Sequence, residues 1–155
     1  MNKSDIIKSH VDICDKHAKR LSFALEQIQH LIPFNENTIE SATLNEVNYI
    51  EIMTNRFEKL STTIGEKIFP ALLELMQEDI KGLSMIDRLN KLEKLYVIES
   101  VEWWKNIRET RNSVAHDYPD HSVEMANALN SCAIMSKELL SFWQKLRGRL
   151  LPFLG

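Results

Sequence analysis

Apolar residues recur at intervals of three, four and seven through almost the whole chain, and this spacing constrains the fold more than any other feature. Ile6, Ile13, Ala18, Leu21, Leu25, Ile28 and Ile32 form a first series that Pro33 interrupts. Val47, Ile50, Met53, Phe57, Leu60, Ile64 and Ile68 form a second. An α-helix turns once in about 3.6 residues, so each series gathers its apolar side chains on one face, which must then be buried against another. Only four glycines and four prolines interrupt the 155 residues. The expected fold is all-α: an up-and-down helical bundle forming a single domain over residues 1–155.

Capping and breaking residues divide the bundle. Ser4 is the expected cap of the first helix and Pro33 its stop. Residues 34–43 read as a polar connection in which Thr43 caps the next helix. That helix starts at Leu44, is expected to kink near Pro70 and to end at Gly82. Ser84 opens a short helix with Ile86, Leu89, Leu92 and Leu95, and residues 97–99 form a loop. Ser100 caps a fourth helix, with Trp104, Ile107 and Val114 near its inner face, and Pro119 closes it. A last helix is expected from about His121 to Arg147, followed by the tail LLPFLG.

Bulk properties narrow the function. A net charge of -3 and a pI near 6.0 argue against a broad basic face that coats nucleic acid, while leaving room for a small RNA site. Cys14 and Cys132 fit no metal-ligand spacing and sit in helical patterns, where cysteine acts as a small apolar residue. His10, His17 and His30 share the first helix without a third ligand at zinc spacing, so solvated or core-edge roles are expected. The polar N-terminus and the lack of a long apolar run imply neither a signal peptide nor a membrane span, and a cytoplasmic setting is expected.

One stretch, RNSVAHDY at residues 111–118, carries groups with chemistry. Histidine can take and return a proton near neutral pH, and arginine can hold a phosphate through charge-assisted bonds. On a regular helix Arg111 and His116 point about 140° apart, so a joint role requires either a distortion near His116 or a second copy of the motif across a dimer axis. The same residues also fit a structural reading. Arg111 would then pair with a nearby acid, His116 would stabilise a helix C-terminus, and Tyr118 would pack with its hydroxyl in water.

R-N-x-x-x-H-x-Y, here Arg111, Asn112, His116 and Tyr118, resembles the signature of HEPN-domain ribonucleases, and more narrowly of HepT-like toxins from HEPN/MNT toxin–antitoxin pairs. The stretch GLSMIDRLNKLEKLYVIESVEWWKNIRETRNSVAHDYP, residues 82–119, is similar to a recurring segment of such proteins. The resemblance implies a two-fold dimer through the fourth helix and a type VII-like system in which a metal-independent RNA endonuclease works without a cofactor. Arg111 would bind the scissile phosphate and His116 would act at the 2′-hydroxyl. Asn112 would orient one of them. Independently of the resemblance, Arg108, one turn before Arg111, either extends the phosphate site or only pairs with acids across the bundle. The resemblance further implies an MNT-type nucleotidyltransferase antitoxin that silences the toxin by adenylylating Tyr118. Some HEPN-like bundles resemble non-catalytic substrate-binding adaptors of small nucleotidyltransferases, and that is the alternative reading.

Overall fold

The computed structural model describes residues 2–120 and 122–154, and among them every regular element is a helix, with no strand. Helix α1 spans Lys3–Ile28 and continues as a 3-10 turn, Gln29–Leu31. Helix α2 spans Glu36–Glu40, α3 Leu44–Thr63, α4 Phe69–Leu75, α5 Met85–Lys94, α6 Val101–Val114 and α7 Val123–Leu150. A final 3-10 turn covers Leu151–Phe153.

The expected caps hold at three starts. Thr43, Ser84 and Ser100 each accept the backbone N–H three residues on, and Glu46 and Asp87 complete capping boxes with the first two. At α1 the cap is Asn2 instead of Ser4, because the Asn2 carboxamide reaches the Asp5 N–H at 2.8 Å. The Ser4 hydroxyl donates to the Phe153 carbonyl at 3.3 Å instead. Residues 34–43 are more than a connection, since Asn35 and Thr38 form a capping box that starts α2.

Near Pro70 the chain forms a π turn, Ile64–Ile68, between α3 and α4, in which the Phe69 N–H reaches back to the Ile64 carbonyl. A proline crowds the preceding turn and lacks an N–H, and widening that turn by one residue makes room for its ring. The rod then stops at Leu75, earlier than the expected Gly82. Gln77 takes a left-handed φ of 61°, and Glu78 N–H donates to the Leu73 carbonyl at 2.9 Å, closing a Schellman motif. Helix α5 ends the same way, with Tyr96 at φ 59° and Val97 N–H bonded to the Leu92 carbonyl at 2.8 Å. Helix α7 begins at Val123, capped by Ser122, and runs to Leu150; its expected start, His121, lies outside the described residues.

Side-chain ties fix the directions of the helices. Ser4 meets Phe153, Asp15 meets Trp143 and Arg147, and Phe34 meets Asn130, so α1 and α7 are antiparallel. His30 pairs with Glu46 and His17 with Arg56, so α1 and α3 are antiparallel as well. Helix α6 runs against α3, with Trp104 beside Gly65 and Arg111 beside Thr62. These pairings make α1, α3, α6 and α7 an up-and-down four-helix arrangement, with α5 packed against α4 and α6.

One apolar cluster fills it, with Trp104, Trp143, Phe57, Leu21 and Met53 among its fully buried side chains. Cys14 and Cys132 are buried in it, and burial raises both thiols to about 12, which makes them inert apolar fillers. Ile6, Ile13 and Ile86, expected in the core, are exposed.

Two arginines near the C-terminal end of α7 are tied into the structure. Arg147 Nε donates to both oxygens of Asp15 at 2.9 and 3.0 Å, and Arg149 donates to the Tyr96 carbonyl at 3.0 Å. Asp15 also accepts the Trp143 indole N–H at 2.9 Å. Asp15→Ala strands that N–H at the edge of the core. It is expected to cost about 1–3 kcal/mol, read as a drop of a few degrees in the thermal midpoint.

Candidate functional site

Gly65 and Trp104 set the register in which the motif is presented. A Cβ on Gly65 would lie 3.3 Å from Trp104 Cζ2, so the absence of a side chain there lets the indole rest against the π turn. Trp104 also packs on Phe69, with ring centroids 4.7 Å apart. Seven residues further along α6, on the same face, Arg111 meets α3.

Arg111 is half-buried in the last turn of α6, and its Nη1 donates to the Thr62 hydroxyl at 2.8 Å. Among the described residues it makes no ion pair within 4 Å, so the acid pairing allowed by the sequence is replaced by a neutral partner. Burial and then the neighbouring charge of Arg108 lower its pKa, while Glu66 and Glu58 act in the opposite direction. An arginine nevertheless remains cationic. The guanidinium is thus fixed by a hydroxyl that leaves its charge intact, with exposed Arg108 one turn away.

Helix α6 does not continue to Pro119. It ends at Val114, and the Ala115 and His116 N–H groups turn back to the Asn112 and Ser113 carbonyls at 3.2 and 3.3 Å. The motif therefore straddles a helix terminus, with Arg111 and Asn112 inside and His116 and Tyr118 beyond it. The angular offset of a regular helix no longer governs the pair. The His116 ring is exposed and stands edge-on to Tyr118, with centroids 6.1 Å apart. Tyr118 is half-buried, its hydroxyl 3.1 Å from Ser113 Oγ. Asn112 is exposed.

Two pairs result, Arg111 with Thr62 and His116 with Tyr118, and no hydrogen bond joins Arg111 to His116 within the chain. Thr62 and Glu58 on α3 and Glu66 in the π turn lie outside the sequence motif and form the facing side of the Arg111 environment. No sequence rule links Thr62 to a partner 49 residues away.

The tryptophans divide by depth, with Trp104 and Trp143 buried and Trp103 half-buried, its indole N–H donating to Glu138 at 3.1 Å. His30 is tied to Glu46, and His17 accepts from Arg56 at 2.9 Å. Among the described residues, no group of three His, Cys, Asp or Glu side chains is placed to hold a metal ion, and no helix is long and apolar enough to cross a membrane. No protein-family model matches the chain, and no curated protein or solved structure matches it either.

Proposed function

We propose that this chain is a metal-independent endoribonuclease of the HepT-like kind, acting as a two-fold dimer in which Arg111 of one copy and His116 of the other address one phosphate. The observation that carries this reading is the state of Arg111, a half-buried guanidinium held by Thr62 Oγ1 at 2.8 Å at the helix end where His116 leaves α6. An arginine kept there for stability alone would be expected to pair with an acid. One bonded to a hydroxyl keeps donors and full charge for an anion.

Within one chain Arg111 turns to α3 and His116 to Tyr118, so a second copy supplies the missing partner. The outward side of α6 offers Glu102, Lys105, Arg108 and Glu109, all exposed. Mixed signs on one helix face suit antiparallel contact with the same face of another copy.

In the reaction, the RNA 2′-oxygen forms a new bond to phosphorus and the P–O5′ bond breaks. His116 accepts the 2′-proton and returns a proton to the departing 5′-oxygen, while Arg111 and Arg108 stabilise the charge on the pentacovalent phosphorus. Asn112, one residue from Arg111, orients the phosphate or the imidazole. The products are a 2′,3′-cyclic phosphate and a 5′-hydroxyl. Labelled RNA incubated with the purified protein in EDTA should be cut. Intact RNA in EDTA, or cutting that requires magnesium, rejects the mechanism in favour of the adaptor reading.

Silencing falls to Tyr118. Its oxygen attacks the α-phosphorus of ATP on a partner nucleotidyltransferase, the bond to the β-phosphate bridge breaks, and pyrophosphate leaves. An adenylate beside His116 would exclude RNA by bulk and by charge. Intact-mass spectrometry after incubation with the partner and ATP should show added adenylate on the wild type and none on Tyr118→Phe. Equal mass gain on both chains would move the modification elsewhere.

A further inference from the structure

Away from the motif, a second concentration of positive charge lies between α1 and α3. Lys16 and Arg20 on α1 and Arg56 and Lys59 on α3 all act on His17, whose Nδ1 accepts from Arg56 Nη1 at 2.9 Å. Burial first, and then these four cations, lower the His17 pKa, so the ring is a neutral acceptor and Arg56 keeps its charge. Among the described residues none of the four cations makes an ion pair within 4 Å.

Asp15 lines the same groove but is already bonded to Arg147 and Trp143. Glu26 and Glu51 line it too, turned about 120° and 140° around their helices from Arg20 and Arg56. Aromatic surface is interleaved with the cations. Phe23 is 52% exposed, and its ring centre lies 5.8 Å from that of Tyr49. The groove is an open concavity of about 1660 Å³ lined by α1, α3 and the α7 residues Leu140, Ser141, Gln144 and Arg147, larger than the roughly 300–1,000 Å³ of a small-ligand pocket, which fits an extended occupant.

We propose that this groove binds single-stranded RNA, with Lys16, Arg20 and Arg56 holding successive phosphates while Phe23 and Tyr49 provide faces on which bases stack. Cations along a channel with exposed aromatic rings are the recurring means of holding a single strand without reading its sequence. A chain with net charge -3 gains little from its overall field, so local clustering has to provide the attraction. The choice of RNA rests on the cleavage reading above, whereas the groove itself requires a single-stranded polyanion that carries bases. A lipid surface is a poorer match, since a concave channel follows a strand better than it lies on a bilayer.

The probe is a fluorescein-labelled 2′-O-methyl oligouridylate of about 20 nucleotides, which cannot undergo internal transfer, with binding followed by anisotropy between 50 and 200 mM salt. The wild type should bind it with salt-dependent affinity. Lys16→Glu/Arg20→Glu, both exposed positions, should weaken binding at least tenfold and flatten the salt dependence, by about 0.7 in logarithmic slope per lost phosphate contact. Lys81→Glu/Lys94→Glu makes the same change in net charge at exposed sites outside the groove and should stay within twofold of wild type. Phe23→Ala should lose about fivefold with the slope unchanged.

The groove assignment is overturned if the Lys16/Arg20 variant binds as the wild type does, if the control pair loses as much, or if the protein binds phosphatidylserine vesicles but not the oligonucleotide. Failure of the two proposals can be told apart. Cleavage in EDTA together with groove-independent binding removes this surface alone, and groove-dependent binding without cleavage removes the ribonuclease alone.

Discussion

His116→Ala is expected to slow RNA cleavage by about 10²- to 10⁴-fold, the usual weight of a general acid–base group, while leaving the thermal midpoint and the dimer unchanged. The separation of activity from stability follows from where the ring sits. His116 lies beyond the end of α6, exposed, and outside the apolar cluster. Its contact with Tyr118 is a single edge-on aromatic pair at 6.1 Å, with little effect on the fold when removed. Single-turnover cleavage beside thermal denaturation and light scattering checks all three quantities. A wild-type rate in the alanine variant would take His116 out of the reaction.

Arg111→Ala should cost about 10²- to 10³-fold, as loss of a preorganised group facing the transition-state charge does. Arg111→Lys should recover only part of this, because an ammonium keeps the charge but loses the planar fork. Thr62 provides the graded control. Thr62→Val keeps the shape at the α3 surface and deletes the acceptor at 2.8 Å from Arg111 Nη1. The guanidinium then loses its orientation but not its charge, and a loss of about tenfold is expected. Arg111→Ala also removes one hydrogen bond and a half-buried stem, for about 1 kcal/mol of stability. That is too little to explain a rate loss of such size, so comparing cleavage with the unfolding midpoint separates a catalytic role from a structural one.

The parts of the fold that follow local rules were legible in the sequence. Thr43, Ser84 and Ser100 each precede a periodic apolar run, and each is the observed cap. The apolar series placed Leu21, Ile28, Met53, Phe57, Leu60 and Ile64 in the core, where they lie. The stops were harder to read. Gln77 and Tyr96 end α4 and α5 in left-handed conformations that glycine normally supplies, and Gly82, which does adopt φ 74°, serves the turn before Ser84 instead. Helix α2 spans five residues and buries one apolar side chain, Ile39, too short a run for any period to appear.

At the motif, the residue types were visible and their setting was not. Pro119 marked the latest point at which α6 could end, but the helix closes at Val114. The regular-helix angle between Arg111 and His116 therefore described a geometry the chain does not adopt. Thr62 was invisible for a different reason: the packing of α6 on α3, set by Trp104 against Gly65, decides what Arg111 touches. The groove between α1 and α3 was equally hidden, because its cations are spread over two helices and the overall charge is negative.

Sharing of the site between two chains is tested most directly by a heterodimer, purified through two different tags, of one Arg111→Ala chain and one His116→Ala chain. Of its two composite sites, one lacks both groups and the other keeps an intact Arg111 and an intact His116. It should cut RNA in EDTA at about half the wild-type rate, while both variant homodimers stay at least about 10²-fold slower. A heterodimer no faster than those homodimers would contradict a site shared across the two-fold axis.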